Sequence, residues 1–362
     1  MDNKFPENAQ KRYHLLNSIQ FWHLLLIWWI PMDIGLSIHL LSNINSLTEI
    51  IKVFFIFATN LSALAKFVSV RIFNRSYTSV FESMYNKDFL PLDAEEHRIY
   101  MLTMERCRSM RNKYATLSIM ALLTLMCFQA IFDPGNLPLS TYNPFDLTIR
   151  WHFIVAYIYQ FISISLRCLT NIAFDSLAAS FFIYIKGQID ILAYRLENIG
   201  KNTNFDEVIT YQLKDCMRLY GKLLDLAETM ESHITKQFSI QIFCSVLVLI
   251  ANFYAMTTIL KGFEVSSFIT YHICMMTQIF IICYYPNELS ICSGELSYAV
   301  YKSNWIAWNH SNKKLALLMM LRFNTPIHIR TVNRCYSFNL NMFTSIVNSS
   351  YSYFALLKKM NN

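Results

Sequence analysis

The sequence predicts an all-α, polytopic membrane protein: seven transmembrane helices, the N-terminus cytoplasmic, the C-terminus extracellular, and helices extended into a cytoplasmic bundle. Three observations lead there. The 362 residues are 54% hydrophobic and only 15% charged, against about 25% charge in soluble domains, so charged groups are too few to cover a soluble body of this size. Apolar runs of about 20 residues, the length a helix needs to cross the hydrocarbon core, recur along the chain. Seven glycines and eight prolines favour long helices over a barrel with many turns.

In chain order, the spans fall at 19–41 with Asp33 inside, about 49–70 with Lys52 and Lys66, 114–132, 151–174 with Arg167, 237–260, 265–287 and 335–357. The third and the last three are free of charge between flanking charged residues. Residues 315–321 are apolar but bounded by Lys314 and Arg322; at 1.5 Å per residue they reach only about 10 Å and cannot span. A helix packed inside a cytoplasmic bundle is the reading. No proline interrupts Ile154 to Leu196, so the fourth span continues as one helix beyond the membrane. In 205–236, Leu213, Met217, Tyr220, Leu224 and Ala227 form an amphipathic stripe at helical spacing.

Direction follows from Lys and Arg, which concentrate on the cytoplasmic side. With the N-terminus inside, the inner segments hold 24 of the 31 and the outer segments 5. The chain divides accordingly into a cytoplasmic tail (1–18), spans one to four (19–200), a cytoplasmic helical segment (201–236), spans five and six (237–300), a second cytoplasmic segment (301–334), the last span (335–357) and an extracellular tail (358–362). The polar start precedes a run too long for a signal-peptide core, so no cleaved signal is read.

Several chemistries are excluded. No two glycines lie closer than 13 positions, which removes GxGxxG and GxxxxGK phosphate loops. Nine cysteines without a CxxC, and histidines without an HExxH, give neither a disulfide scaffold nor a compact metal motif. No catalytic pair and no cofactor motif stands out, so an enzyme is not expected. Positive-inside bias accounts for the basic segments, and nucleic acid is dismissed as a partner; membrane lipid is the surrounding medium.

Three charges inside spans carry different readings. Arg167 lies deep in span four, where an ionisable group is either functional or a structural contact to a carbonyl or neighbouring helix. Lys66, near the inner end of its span, is expected to snorkel to the interface. Asp33 follows Pro31 and reads as the cap of a kink. Aromatic and Met-rich stretches in the outer halves of the spans suggest an apolar pocket, with Phe57, Phe128, Tyr157, Phe161, Tyr271 and Met275 as its candidate lining. In the last span, Thr344, Val347, Asn348, Ser350 and Tyr351 interrupt an apolar helix with small polar groups, which suits one face on protein and another on a wet pore; the alternative is a packed span bonded to its neighbours.

Four segments resemble the insect odorant receptors. IKGQIDILAYRLENIG (Ile185–Gly200) is similar to the family's signature where span four enters the cytoplasm. ELSYAVYKSNWIAWN (Glu295–Asn309) carries its Tyr-x-x-x-Trp element through Tyr301 and Trp305. KKLALLMMLRFNTPIHI (Lys313–Ile329) resembles the cytoplasmic half of its divided last helix, including Pro326. FTSIVNSSYSYFALLKK (Phe343–Lys359) resembles its terminal pore helix. The tail before span one is shorter than usual in that family. The ending lacks the TYxxxxxQF pattern of the related gustatory receptors, which favours a tuning odorant receptor over a gustatory receptor or the olfactory co-receptor.

The resemblance implies a ligand-gated, non-selective cation channel in the plasma membrane of olfactory sensory neuron dendrites, a heterotetramer with the olfactory co-receptor that small volatile odorants open. It implies that the odorant sits in the outer half of spans two to six. The last span would line the pore, with Ile346 or Val347 as a hydrophobic constriction beside Asn348, Thr344 and Tyr351. Tyr301, Trp305 and Pro326 would belong to the cytoplasmic subunit anchor. A gustatory receptor is the alternative within the superfamily. A G-protein-coupled receptor has the opposite orientation, and a secondary transporter would show repeats and broken helices near the midplane.

Overall fold

The computed structural model describes residues 18–132, 134–201, 205–259, 263–332 and 336–361. Ten helices follow one another among them: α1 (Ser18–Ser42), α2 (Leu47–Ile72), α3 (Asn74–Met84), α4 (Ala94–Phe132), α5 (Arg150–Asn198), α6 (Asp206–Tyr254), α7 (Phe263–Gly294), α8 (Leu296–Lys302), α9 (His310–Phe323) and α10 (Leu340–Asn361). Extended pairing among the described residues is limited to one isolated bridge, Arg330 with Ser337. Five helices, α1, α2, α5, α6 with its extension to Thr257, and α7 with its extension to Lys302, are long and apolar enough to cross a membrane. The segments assigned to spans three and seven lie in α4 and α10.

The unbroken reading of span four is borne out: α5 is one helix of 49 residues, about 73 Å long at 1.5 Å per residue. Pro286 sits inside α7 without ending it. The last helix starts later than position 335. The bridge to Arg330 occupies Ser337, and Asn339 then caps α10, its Oδ1 accepting from the Met342 amide at 2.8 Å; an Asn at this position satisfies a donor the first turn leaves free.

Two large apolar clusters fill the bundle. One joins α3, the last turns of α5, the first half of α6, α8 and α9, and includes Leu213, Tyr220 and Ala227 of the amphipathic stripe. The other joins α1, α2, the second half of α6, α7 and α10. At Gly187 of α5 the helix meets α4 so closely that an added Cβ would collide with the Thr103 side chain. Gly200, after α5, has φ +77° and lies under the Trp308 indole, a backbone conformation that favours glycine.

The apolar run 315–321 is not wholly packed inside. Ala316, Met319 and Phe323 of α9 are buried, but Leu317, Leu318 and Leu321 point outward and are exposed. Seven apolar residues in a row cannot all face one side of a 3.6-residue helix.

The segment after α4 folds back into the bundle. Gln160 of α5, itself buried, accepts from the Leu139 amide at 3.2 Å and donates to the Leu139 carbonyl at 2.9 Å. The Tyr142 amide donates to the Gly35 carbonyl of α1 at 3.1 Å.

Candidate functional site: a cavity among four helices

Pro31 shapes one wall of the site. Lacking an N–H, it leaves the Ile27 carbonyl four residues upstream without its helical donor. The preceding turns widen into a π-helix over Leu24–Trp29, where the Ile30 amide reaches back to Leu25. Three successive carbonyls of α1 are then taken by α5. Tyr159 Oη donates to Ile27 O at 2.9 Å, Ser163 Oγ to Trp28 O at 2.5 Å, and Arg167 to Trp28 O at 3.1 Å and Trp29 O at 2.8 Å. Positions 159, 163 and 167 recur every four residues and so share one face of α5.

Arg167 also donates to Asp33 Oδ1 at 3.2 Å and lies over the Trp29 ring, 4.8 Å from its centroid. The structural reading of the intramembrane arginine is thus realised, and Asp33 is its counter-ion rather than only the cap of a kink. Planar guanidinium donors suit this multiple recognition better than an ammonium.

Beside this wall, α2, α4, α5 and α7 line a cavity of about 90 Å³. Ile56, Thr59 and Asn60 come from α2, and Tyr114, Ser118 and Leu125 from α4. Arg167, Cys168 and Asn171 come from α5, and Tyr271, Cys274, Met275 and Gln278 from α7. The Thr59 and Tyr271 hydroxyls are hydrogen-bonded to one another. Tyr271, Cys274 and Met275 fall in the outer half of the span assigned to 265–287, whereas Arg167, Cys168 and Asn171 fall in the inner half of that assigned to 151–174.

Of the six candidate lining residues, the structure brings Tyr271 and Met275 to this cavity. Phe57 packs instead against the cluster of α1, α2, α6, α7 and α10. Tyr157 donates to the Met126 carbonyl at 2.8 Å, tying α5 to α4, and Phe161 is 37% exposed on the outside of α5. The side chain of Phe128 lies outside the described residues.

A buried ion pair bonded to the lining residues Tyr114, Asn171 and Gln278 escaped the sequence reading. Lys66 does not snorkel: its side chain and that of Asp175 are both 0% exposed, with Nζ to Oδ1 at 2.7 Å. Lys66 also donates to Asn171 Oδ1 at 2.9 Å. The second carboxylate oxygen of Asp175 accepts from Tyr114 Oη at 3.1 Å, Gln278 Nε2 at 2.6 Å and Gln241 Nε2 at 3.4 Å. Lys66, Tyr114, Asp175, Gln241 and Gln278 belong to α2, α4, α5, α6 and α7, so five helices meet at one carboxylate. The available signal was charge pairing. A Lys and an Asp of opposite sign at apolar stretches invite each other, because a lone buried charge is costly.

The expected gate residues sit on two faces of α10. Ile346, Ser350 and Phe354 are buried on the side packed against α6 and α7, whereas Thr344, Asn348 and Tyr351 are exposed together and Val347 lies at the border. Ile346 therefore faces this chain's own core. Among the expected anchor residues, Tyr301 is exposed and stacked on Tyr298 with centroids 6.2 Å apart. Trp305 is half-buried with its Nε1 buried and unpartnered, and Pro326 packs near Gly294. Nearby, Arg195 clasps Glu96 through Nε at 2.7 Å and Nη2 at 2.8 Å. Burial alone would lower its pKa, but the hydrogen bonds and charge of Glu96 outweigh that and raise it.

Fold and cavity together define a helical membrane protein with a cavity among four of its helices. The 7tm Odorant receptor family matches residues 46–351, and the chain belongs to that family. It is 38% identical to odorant receptor 46a, isoform A, of Drosophila melanogaster over 98% of this chain and 93% of that relative. Identity to odorant receptor 94a of the same species is 27%, over 65% of this chain and 62% of the relative. The fold is similar to that of the insect olfactory receptor OR5 from Machilis hrabei, with a TM-score of 0.86 over 99% of this chain and 92% of that one at 17% identity. The structure of that receptor in complex with eugenol superposes with the same TM-score, over 99% of this chain and 93% of that one.

Proposed function

We propose that this odorant receptor is the ligand-recognising subunit of a non-selective cation channel opened by small volatile odorants. It assembles as a heterotetramer with the olfactory co-receptor in the plasma membrane of sensory dendrites. Seven spans cross the bilayer, α4 and α10 supplying the third and the last, with the N-terminus cytoplasmic and the C-terminus outside. The observation that carries this reading is the cavity among α2, α4, α5 and α7. Its lining residues Tyr114 and Gln278 are hydrogen-bonded through Asp175 to Gln241 of α6, and α6 packs along α10. An odorant that fits one arrangement of these helices better than another shifts the gate by that difference in affinity and by nothing else.

The exposed face of α10 with Thr344, Asn348 and Tyr351 supports a pore lining, and Val347 is the apolar residue best placed to narrow it. Hydrophobic constrictions gate by dewetting. The outward Leu317, Leu318 and Leu321, with Tyr301 and Ile306 also exposed, support an anchoring surface for neighbouring subunits, since contiguous exposed apolar residues mark interaction sites. Current recording from cells expressing this chain with and without the co-receptor tests the proposal. Odorant-evoked current is expected only with both. Currents from this chain alone, unchanged by the co-receptor, would contradict the heteromeric part.

A further inference from the structure

We infer that the groove between the inner ends of α1, α2 and α5 is a site for one anionic phospholipid of the cytoplasmic leaflet, with an acyl chain between the helices and the phosphate on Arg71. The groove measures about 410 Å³, within the range of small-ligand sites. It shares no lining residue with the cavity among α2, α4, α5 and α7. Its polarity is graded. Leu24, Phe67 and Phe174 give it apolar walls, whereas Gln20, Arg71 and Asn74 line the end towards the cytoplasm. Leu24 and Phe67 each lie four residues, about one helical turn, farther into their spans than Gln20 and Arg71. A phospholipid has the same gradient, apolar chains below a charged head. The rings of Phe21 and Phe67 stack 5.0 Å apart and join α1 to α2. Because α1 is the least buried of the five long apolar helices, a chain wedged against α2 and α5 reinforces a thin contact.

Charge selects the occupant. The Arg71 guanidinium donates to Ser18 Oγ at 2.5 Å and lies 5.7 Å from the Phe21 ring centroid. Arg71 is exposed and meets no carboxylate among the described residues. With five N–H donors in a planar fork, the guanidinium keeps donors for a phosphate. The cytoplasmic leaflet carries the anionic lipids, and basic pockets between spans on that side recognise acidic head groups. A zwitterionic lipid brings its own cation to the arginine and gains less. The residues before Ser18 are the other candidate occupant. They carry three cations (Lys4, Lys11, Arg12) against two anions (Asp2, Glu7), the wrong sign for Arg71. The inference rests on the proposed orientation, with the N-terminus inside.

In the experiment, the full chain purified in detergent with the co-receptor is titrated with dioctanoyl phosphatidylserine, dioctanoyl phosphatidylcholine and glycerophosphoserine, the head group without chains. Thermal unfolding reads occupancy, since a ligand of the folded state raises the melting temperature. Phosphatidylserine is expected to half-saturate at about a fivefold lower concentration than phosphatidylcholine, the fold-change one arginine contributes at an anionic head group. The chain-free head group should leave the melting temperature unchanged. Arg71→Gln should abolish the preference and Arg71→Lys should keep most of it. Ala173→Phe, which fills the groove, should weaken both lipids. Equal affinity for the two lipids in the wild-type receptor, a shift from the head group alone, or a preference that Arg71→Gln leaves at full size would overturn the inference. Should Arg71→Gln fail to fold, an undiminished response of Ala173→Phe to both lipids overturns it equally. A lipid response that appears only after residues 2–16 are deleted would give the groove to the tail and also overturn it. Staining of an N-terminal epitope on intact cells separates the two levels. If it stains while the phosphatidylserine preference of Arg71 holds, the orientation and the assignment to the cytoplasmic leaflet fall, and the lipid contact stands.

Discussion

Lys66 and Asp175 form an ion pair at 2.7 Å with both side chains wholly buried, at the point where five helices of this odorant receptor converge. Removing one partner strands a charge away from water, whereas removing both leaves a dry contact. Lys66→Met and Asp175→Asn are each expected to cost about 3 kcal/mol or more and to abolish most surface expression. Lys66→Met combined with Asp175→Leu should recover a large part of it. Surface biotinylation of the three variants provides the check; a double variant no better than either single one would show that the pair is not the source of the cost.

Arg167 should not tolerate lysine. An ammonium on a flexible stem cannot reproduce the fork that reaches Trp28 O, Trp29 O and Asp33 together. Arg167→Lys is expected to lower stability by about 2 kcal/mol, read as a lower melting temperature in detergent. Pro31→Ala tests the same wall from the other side. Alanine is the better helix former, yet a regular helix would withdraw the carbonyls from α5, so this change should destabilise. A higher melting temperature for Pro31→Ala would refute the role given to the π-helix.

At the crossing of α4 and α5, Gly187→Ala should destabilise by about 1–3 kcal/mol, as overpacking at a tight contact does. The added Cβ has no room beside Thr103. Thr103→Ala in the same chain should return part of the loss. Thermal unfolding of the single and double variants measures it, and full stability of Gly187→Ala alone would mean the helices can slide apart freely.

The two faces of α10 predict opposite phenotypes for adjacent residues. Val347→Lys should change basal leak or cation permeability in channels that reach the surface. Ile346→Lys, which buries a charge in this chain's own core, should fail mainly in folding. Bi-ionic reversal potentials together with surface labelling distinguish them. Unaltered permeability and leak in well-expressed Val347→Lys channels would move the pore lining to another helix or to the partner subunits.

Helix existence was legible in the sequence because length and apolar runs alone determine it: the uninterrupted Ile154–Leu196 stretch became α5, and the stripe from Leu213 to Ala227 became a packed face of α6. What tertiary contact decides was not legible. Phe161 and Tyr271 have the same character in sequence, yet one faces outward and the other lines the cavity, because helix rotation depends on partners distant in the chain. Lys66 looked like a snorkelling residue until Asp175, 109 positions away, supplied its counter-ion. Asp33 and Arg167 were each visible as unusual charges. Only the widened turn before Pro31 explains why they meet.

The most direct test of the central claim, that the cavity is where odorants act, is the agonist ranking of Met275→Ala against the wild-type receptor, recorded as evoked current with the co-receptor present. Met275 is buried at the cavity wall, and its truncation enlarges the chamber at a cost of about 2–5 kcal/mol in stability. At matched surface expression, the variant is predicted to gain sensitivity to bulkier odorants and lose it to the smallest ones. A ranking and set of half-activating concentrations identical to wild type across the panel would contradict the account.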